Sequence, residues 1–410
     1  MKKAVIIIIL LLLIFFGIQY GPFLWKNFSG VGPSLKTPTK DITQLIPKPI
    51  QNDTNPGENK TTLPIHIPNG FTLSIFADNL TNPRVLTQDP NGNLVVSITG
   101  QGRVMILPDL NHDGIADEPL TLVDNLNQPH GLAFRCPSAS SNCQLYVAET
   151  DKVDVFDYDV KNLRVSNKRK IIDLPGGGRH FSRTLLYDPQ KDKLFITVGS
   201  SCDTCIEKDN RRTKVLVADP DGANLKTYAS GLRNAVFITS HPLTKDLWVT
   251  EMGRDFLGDE TPPDEINVIQ EGKDYGWPYC YGKKIVDKSF DANHSCENTE
   301  PSYIDIPAHS APLGLAFFPK DGWPQNYQNN LLVAYHGSWN RSVPTGYKVV
   351  RYNLDNQGKY ISEEDFMSGW LQNDGSALGR PAGILITDKG SLYISDDKAG
   401  VIYLMRYSPQ

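Results

Sequence analysis

The chain has 410 residues, with 41 Lys and Arg against 46 Asp and Glu and a formal charge of −5. No block of like charge occurs, so the composition argues against a nucleic-acid surface or a charged interaction tail. With 40% hydrophobic residues and six cysteines, the chain can bury a large core and staple it covalently.

Lys2 and Lys3 precede an apolar run from Ala4 to Ile18 that continues loosely to Trp25. A short basic region before such a run is an export signal, and its length approaches the roughly 20 residues of a spanning helix. No A-x-A-like cleavage site follows, so residues 1–26 are read as an uncleaved anchor, with a cleaved signal peptide as the alternative. The positive-inside tendency then places the remainder outside the cytoplasm. Residues 27–64, rich in Pro, Thr, Ser, Asn and Lys, read as a flexible stalk that buries too little to order itself. Sequons stand at Asn27, Asn52, Asn59, Asn79, Asn293 and Asn340.

From residue 65 to 410 one pattern recurs. A Pro- or Gly-containing lead-in opens an apolar strand, a turn follows, and a β-rich strand ends near Gly or Asp. The copies begin at Pro83, Pro129, Arg183, Arg233, Pro312 and Arg380, and their second strands end near Ser97, Ala148, Val198, Glu251, Tyr335 and Asp396. Further strands are expected at 104–107, 153–156, 215–218, 266–269, 349–352 and 401–405. No long 3.6-residue apolar period appears after the leader, so the expected fold is all-β. Six such units predict a six-bladed β-propeller preceded by an N-terminal hydrophobic anchor or signal helix.

The cysteines fall in three close pairs, Cys136/Cys143, Cys202/Cys205 and Cys280/Cys296. Among the 15 connectivities open to six cysteines, proximity in an exported chain favours these local disulfides. In a propeller the lead-in residues converge on one axial pocket. Here they are Arg84, His130, His180, Arg183, Arg233, Asn234 and Arg380, a cationic set suited to a poly-anionic small molecule.

Several longer motifs are Gly231-Leu232-Arg233-Asn234, Trp248-Val249-Thr250-Glu251, Asp264-Glu265-Ile266-Asn267 and Asp274-Tyr275-Gly276-Trp277-Pro278. With Leu174–His180, His336–Arg341, Pro344–Lys348 and Gly379–Gly383, they resemble the glucose/sorbosone dehydrogenase family, the soluble quinoprotein propellers, and the sorbosone branch in particular. The resemblance implies pyrroloquinoline quinone as cofactor and His180 as the base that takes a hydroxyl proton. Arg233 and Asn234 would hold the quinone oxygens and stabilise developing charge, and Arg380 would bind the cofactor. Arg341 or Lys348 would supply a cation from the fifth blade.

It implies a calcium ion on the backbone carbonyls of Gly253 and Arg254. Arg254 replaces a proline, while Met252 and Ala382 stand where the glucose enzymes carry glutamine and arginine. A second calcium candidate is the loop carrying Asp109, Asn111, Asp113 and Asp117, whose alternation resembles the start of an EF-hand. Leu120 occupies the twelfth position, and an Asx-rich turn explains the same residues.

The function expected from these residues is oxidation of a sugar-like alcohol or aldehyde, with electrons passed to an external acceptor. Two alternatives remain. A calcium-dependent lactonase-like hydrolase would want axial carboxylates rather than cations. A non-catalytic propeller that binds glycans or partners would account for the departures at Met252, Arg254 and Ala382.

Overall fold

Each repeat carries short β-branched runs separated by Gly, Asp and Asn turns, and each run is too brief and too alternating for a helix. In the computed structural model, which describes residues 2–36, 61, 63–137 and 142–407, these runs pair as antiparallel sheets. Six of the sheets are four-stranded and form the blades.

Blade one is Pro83–Gln88, Leu94–Ile98, Arg103–Leu107 and Leu120–Val123. Blade two is Leu132–Arg135, Asn142–Ala148, Lys152–Asp159 and Arg164–Asp173. Blade three is Leu185–Asp188, Lys193–Val198, Lys214–Ala218 and Lys226–Ser230. Blade four is Ala235–Ser240, Leu247–Glu251, Asp264–Ile269 and Ile304–Ile306. Blade five is Pro312–Phe317, Leu331–Tyr335, Lys348–Leu354 and Tyr360–Met367. Blade six joins Pro381–Ile386, Ser391–Asp396 and Val401–Tyr407 to Phe71–Ala77 from the other end of the chain. That last pairing closes the ring.

Burial follows from this order. The second strands Leu94–Ile98, Leu247–Glu251 and Leu331–Tyr335 are buried along their whole length. The fourth strand Arg164–Asp173 faces solvent at most positions. A middle strand meets neighbouring blades on both faces, so apolar residues run continuously there.

The inner strands of blades one, four, five and six slip register against their partners just after the lead-in. A bulge of this kind leaves an amide unpaired and bends the strand. Hydroxyls on the second strands take up the freed groups. Val85 N donates to Ser97 Oγ at 3.0 Å and Gly383 N to Ser395 Oγ at 2.8 Å. Ser395 Oγ also donates to Arg84 O at 2.7 Å, and Thr250 Oγ1 to Leu313 O at 2.6 Å, stitching blade to blade. A Ser or Thr one residue before the end of the second strand thus recurs in blades one, three, four and six, as Ser97, Thr197, Thr250 and Ser395.

The leader forms a helix over Lys2–Phe28, of which Val5–Phe28 is long and apolar enough to cross a membrane. The expected loose stalk needs correcting at its ends. Phe28 packs on Trp339 at 5.6 Å, and Phe23 on Phe256 at 5.8 Å. Gly32–Leu35 makes a further short helix, and Lys398 Nζ donates to Pro33 O at 2.9 Å. Residues 27–36 thus lie against loops of blades four to six, because Phe28 packs on Phe256 and Trp339 and the carbonyls of Pro33 and Lys36 accept from Lys398. Leu63 and Ile65 are buried in the propeller core. Residues 37–60 and 62, with the sequons at Asn52 and Asn59, lie outside the described residues.

Candidate active site

The three local disulfides form as expected, Cys136–Cys143, Cys202–Cys205 and Cys280–Cys296. The second of them lies in the candidate site. Loops that join second to third strands, and loops that join successive blades, all reach the same end of the ring.

His180 ends a loop whose course is set from beneath by two buried arginines. Arg183 donates to His180 O at 3.0 Å and Pro175 O at 2.7 Å. Arg212 donates to the carbonyls of Pro175, Gly176 and Gly177 at 3.0, 2.8 and 2.7 Å. Burial brings the Arg183 pKa down to about 9, with Arg212 beside it adding to the effect. Arg183 is thus a loop clamp, and not the ligand-facing cation expected from its position.

Nδ1 of His180 lies 3.1 Å from Ser200 O and 2.9 Å from Ser200 Oγ. A carbonyl can only accept, so Nδ1 carries the proton and Nε2 keeps its lone pair. Nε2 makes no hydrogen bond among the described residues. Burial, then the charges of Arg233 and Arg179, hold the imidazole pKa well below the ordinary histidine value. The ring is a neutral base at neutral pH.

Asn234 meets His180 because residue 199 is glycine. A Cβ there would stand 2.5 Å from Asn234 Oδ1 and 2.9 Å from His180 Cβ. Asn234 Oδ1 is buried without a partner among the described residues, while Nδ2 lies 3.7 Å from Met252 Sδ. An unpaired buried amide oxygen beside an open base is a place for a ligand group.

Arg233 is held on every side. Its backbone N–H donates to Glu251 Oε1 at 2.6 Å. Nε donates to Asp203 O at 2.9 Å, Nη2 to Asp203 Oδ1 at 2.7 Å, and Nη1 to Met252 O and Gly253 O at 3.2 and 2.9 Å. Asp255 Oδ2 lies 3.5 Å from Nη2 and also accepts from Arg179, and Asp255 Oδ1 accepts from Asn340 at 2.9 Å.

Across the axis, Arg380 donates to the carbonyls of His336, at 2.9 Å, and Gly337. No carboxylate among the described residues lies within ion-pairing distance of it, and burial lowers its pKa. Arg84 pairs with Asp397, which also accepts from His336 Nε2 at 2.8 Å. Burial and Arg380 bring the His336 pKa down to about 4.

The remaining expected residues stand elsewhere. Lys348 pairs with Asp365 at 2.6 Å within blade five, and Arg341 is taken by Glu260 and by Ala308 O. Neither offers the free fifth-blade cation expected of it. His130 is fully buried against Phe237, 5.3 Å away, with Nδ1 3.1 Å from Thr184 Oγ1, and serves the axial core.

Of the carbonyls expected to hold a metal, that of Gly253 accepts from Arg233 Nη1 at 2.9 Å, as does the neighbouring Met252 O at 3.2 Å. The point they share holds Arg233 Nη1, a cation. Arg254 donates to Asp287 Oδ2 at 2.7 Å and Ser289 Oγ at 3.0 Å, while its Nε lies 3.9 Å from Asp203 Oδ2, so its charge stays beside the carboxylate next to this point. In the second candidate loop the carboxylates accept from backbone amides. Asp109 Oδ1 and Oδ2 take Asp113 N and Gly114 N at 3.1 Å, Asp113 Oδ1 takes Ile115 N at 2.8 Å, and Asp117 Oδ2 takes Leu110 N at 2.7 Å. Asn111 joins the same turn through Asp113. An Asx-rich turn accounts for this geometry, and the loop lies at the end of the ring opposite the axial site.

Asp203, Asp255 and Ser200 were not singled out from the sequence, and Arg179 and His336 stood there only within longer motifs. Asp203 lies between two cysteines that drew attention for their own chemistry, and its partner Arg233 is 30 residues away.

Comparison with known proteins meets this geometry. The model of the TrAA12-like family matches residues 65–408. The chain belongs to the TrAA12-like family. It is 32% identical over 371 residues to an uncharacterised protein of Borreliella burgdorferi, covering 84% of this chain and 92% of that one. A pyrroloquinoline quinone-dependent pyranose dehydrogenase of Coprinopsis cinerea is 25% identical over 86% of this chain, which spans 56% of that enzyme's length. The holo structure of that enzyme's quinone domain superposes with a TM-score of 0.71 at 22% identity, covering 86% of this chain and 99% of the domain. A calcium structure of the Trichoderma reesei AA12 enzyme gives 0.73 at 20% identity, covering 87% and 100%. These structures share the six-bladed fold, and the chain's resemblance to the quinoprotein sugar dehydrogenase propellers rests on the family match.

Proposed function

We propose that this TrAA12-like protein is a pyrroloquinoline quinone-dependent oxidoreductase that oxidises a sugar, aldose or related alcohol or aldehyde. The observation that carries the reading is the state of His180: Nδ1–H is committed to Ser200, and Nε2 is an open base next to Arg233 and Asn234. Arg380, half-buried, hydrogen-bonded only to carbonyls and lying over the Tyr347 ring at 5.7 Å, suits a carboxylate of a planar poly-anion. The cofactor, when bound, supplies the electrophilic carbonyl that accepts hydride.

The protein's part is to place and polarise. His180 Nε2 receives the hydroxyl proton as the C–H bond breaks, and its lowered pKa keeps it ready in neutral solution. Arg233, already held by Asp203 and by the carbonyls of Met252 and Gly253, and the Asn234 amide stabilise charge that develops on oxygen. Calcium is a finer part of the proposal. The carbonyls of Met252 and Gly253, with Asp203 and Asp255 alongside, are hard oxygen donors that could hold it in competition with Arg233 Nη1.

The leader helix supports an extracytoplasmic site with membrane attachment, from which electrons pass to an external acceptor.

The test is reconstitution of the purified full chain with the quinone, with and without calcium, followed by dye reduction on a panel of aldoses and alcohols. Quinone retained through desalting together with sugar-dependent reduction is the expected result. Absence of retained quinone absorbance would overturn the reading and favour a propeller that only binds glycans.

A further inference from the structure

The loop closed by Cys202 and Cys205 touches both halves of the catalytic pair. From one side, Ser200 Oγ donates to Cys202 O at 2.6 Å and so presents its lone pair to His180 Nδ1–H at 2.9 Å. From the other, Asp203 gives Arg233 two acceptors, its carbonyl to Nε and its Oδ1 to Nη2. Asp203 Oδ1 also accepts from Asp255 N at 3.0 Å. Glu207 ties the loop back through Ser201 N at 2.6 Å and Ser201 Oγ at 2.7 Å.

The ring spans a sequence separation of only 3. So small a ring removes little entropy from the unfolded chain, which leaves local geometry as its main product. A free residue at position 203 could satisfy Arg233 with its carbonyl or its carboxylate. Offering both at once to one guanidinium requires a fixed loop.

We propose that Asp203, fixed by the Cys202–Cys205 disulfide, is a positioning residue that sets Arg233 against His180, and that the same loop fixes the His180 tautomer through Ser200. This rests on the proposed oxidoreductase reading for its kinetic consequence, though not for its geometry.

The experiment compares the full chain with Asp203→Ala, Asp203→Asn, the double variant Cys202→Ala/Cys205→Ala, and the distant control Cys136→Ala/Cys143→Ala. The cofactor-free readout is 15N NMR of the imidazoles, with the His180 signals identified by their loss in His180→Gln. The wild type is expected to show the Nδ1–H tautomer. The Cys202/Cys205 double variant should move toward the Nε2–H form that free imidazoles favour, and the Cys136/Cys143 control should not.

In loaded enzyme, Asp203→Ala should lower kcat at least tenfold with KM for the sugar changed less than threefold, and Asp203→Asn should recover part of the loss by restoring a side-chain acceptor. An unchanged His180 tautomer in the Cys202/Cys205 variant, or equal shifts in both disulfide variants, would overturn the proposal, as would full kcat in folded Asp203→Ala. If the wild type binds no quinone, the function reading fails alone and the NMR comparison still decides the positioning role.

Discussion

The two arginine clusters at this end of the ring are treated differently. Beside blades three and four, Arg233 is matched by Asp203 and Asp255 and by two carbonyls, so its charge is answered before any ligand arrives. Across the axis, Arg380 has carbonyls alone, and the nearby carboxylate of Asp397 is spent on Arg84 and His336. A fully answered guanidinium is rigid and suited to shaping a reaction. One answered only by dipoles retains net charge and is suited to gripping an anion.

That contrast can be broken in order of expected effect. His180→Ala should cost about 10²–10⁴ in kcat, the usual worth of a general base, while quinone remains bound. Equal loss of quinone binding would show that His180 holds the cofactor and does not take the proton. Arg233→Ala should lower kcat about 10²–10³-fold, as removal of an oxyanion donor does. Arg380→Ala should act on the other quantity. Loss of a charge-assisted contact worth about 1.5–3 kcal/mol predicts a quinone Kd raised roughly 10- to 150-fold by absorbance titration, with kcat at saturation nearly kept. If Arg380→Ala and Arg233→Ala gave the same kcat and Kd pattern, the two sides would not differ as described.

The pH response sharpens the same division. His336, buried and neutral with a pKa near 4, binds fewer protons in the folded protein than in the unfolded chain between about 6.5 and 4. The stability that His336 contributes should therefore fall as the pH drops through that window. Asp264 and Asp396, whose buried carboxyls are raised to about 7 and about 6, give the opposite trend. His336→Asn should raise the Tm at low pH relative to its value at pH 7. The acid limb of kcat/KM, reporting His180, should lie below the ordinary histidine range. The smallest effect is expected from Lys348→Ala, less than twofold in kcat/KM, because its partner is Asp365 on the exposed outer strand.

The ring was readable from the residues because a blade is a local object: strands adjacent in sequence pair, and their turns carry Gly, Asp and Pro. His180, Arg233, Asn234 and Arg380 were readable because they sit at fixed offsets from those strands. Asp203, Asp255 and Asp397 were not, since each acts across 30 or more residues on a partner in another loop. Lys348 illustrates the opposite error. A cation at a promising offset gives no sign that a carboxylate on the adjacent strand has already claimed it.

The pairing of Phe71–Ala77 with Val401–Tyr407 carries a consequence for biosynthesis. The first strand of the propeller waits, with its hydrogen-bonding edge open, for a partner far along the chain: Thr72 and Arg406, which pair across this junction, are 334 residues apart. Closure thus waits until all six blades have been delivered, and until then the exposed edge invites pairing with other chains. Removing residues from Val401 onward should yield a protein that aggregates, however sound its first five blades.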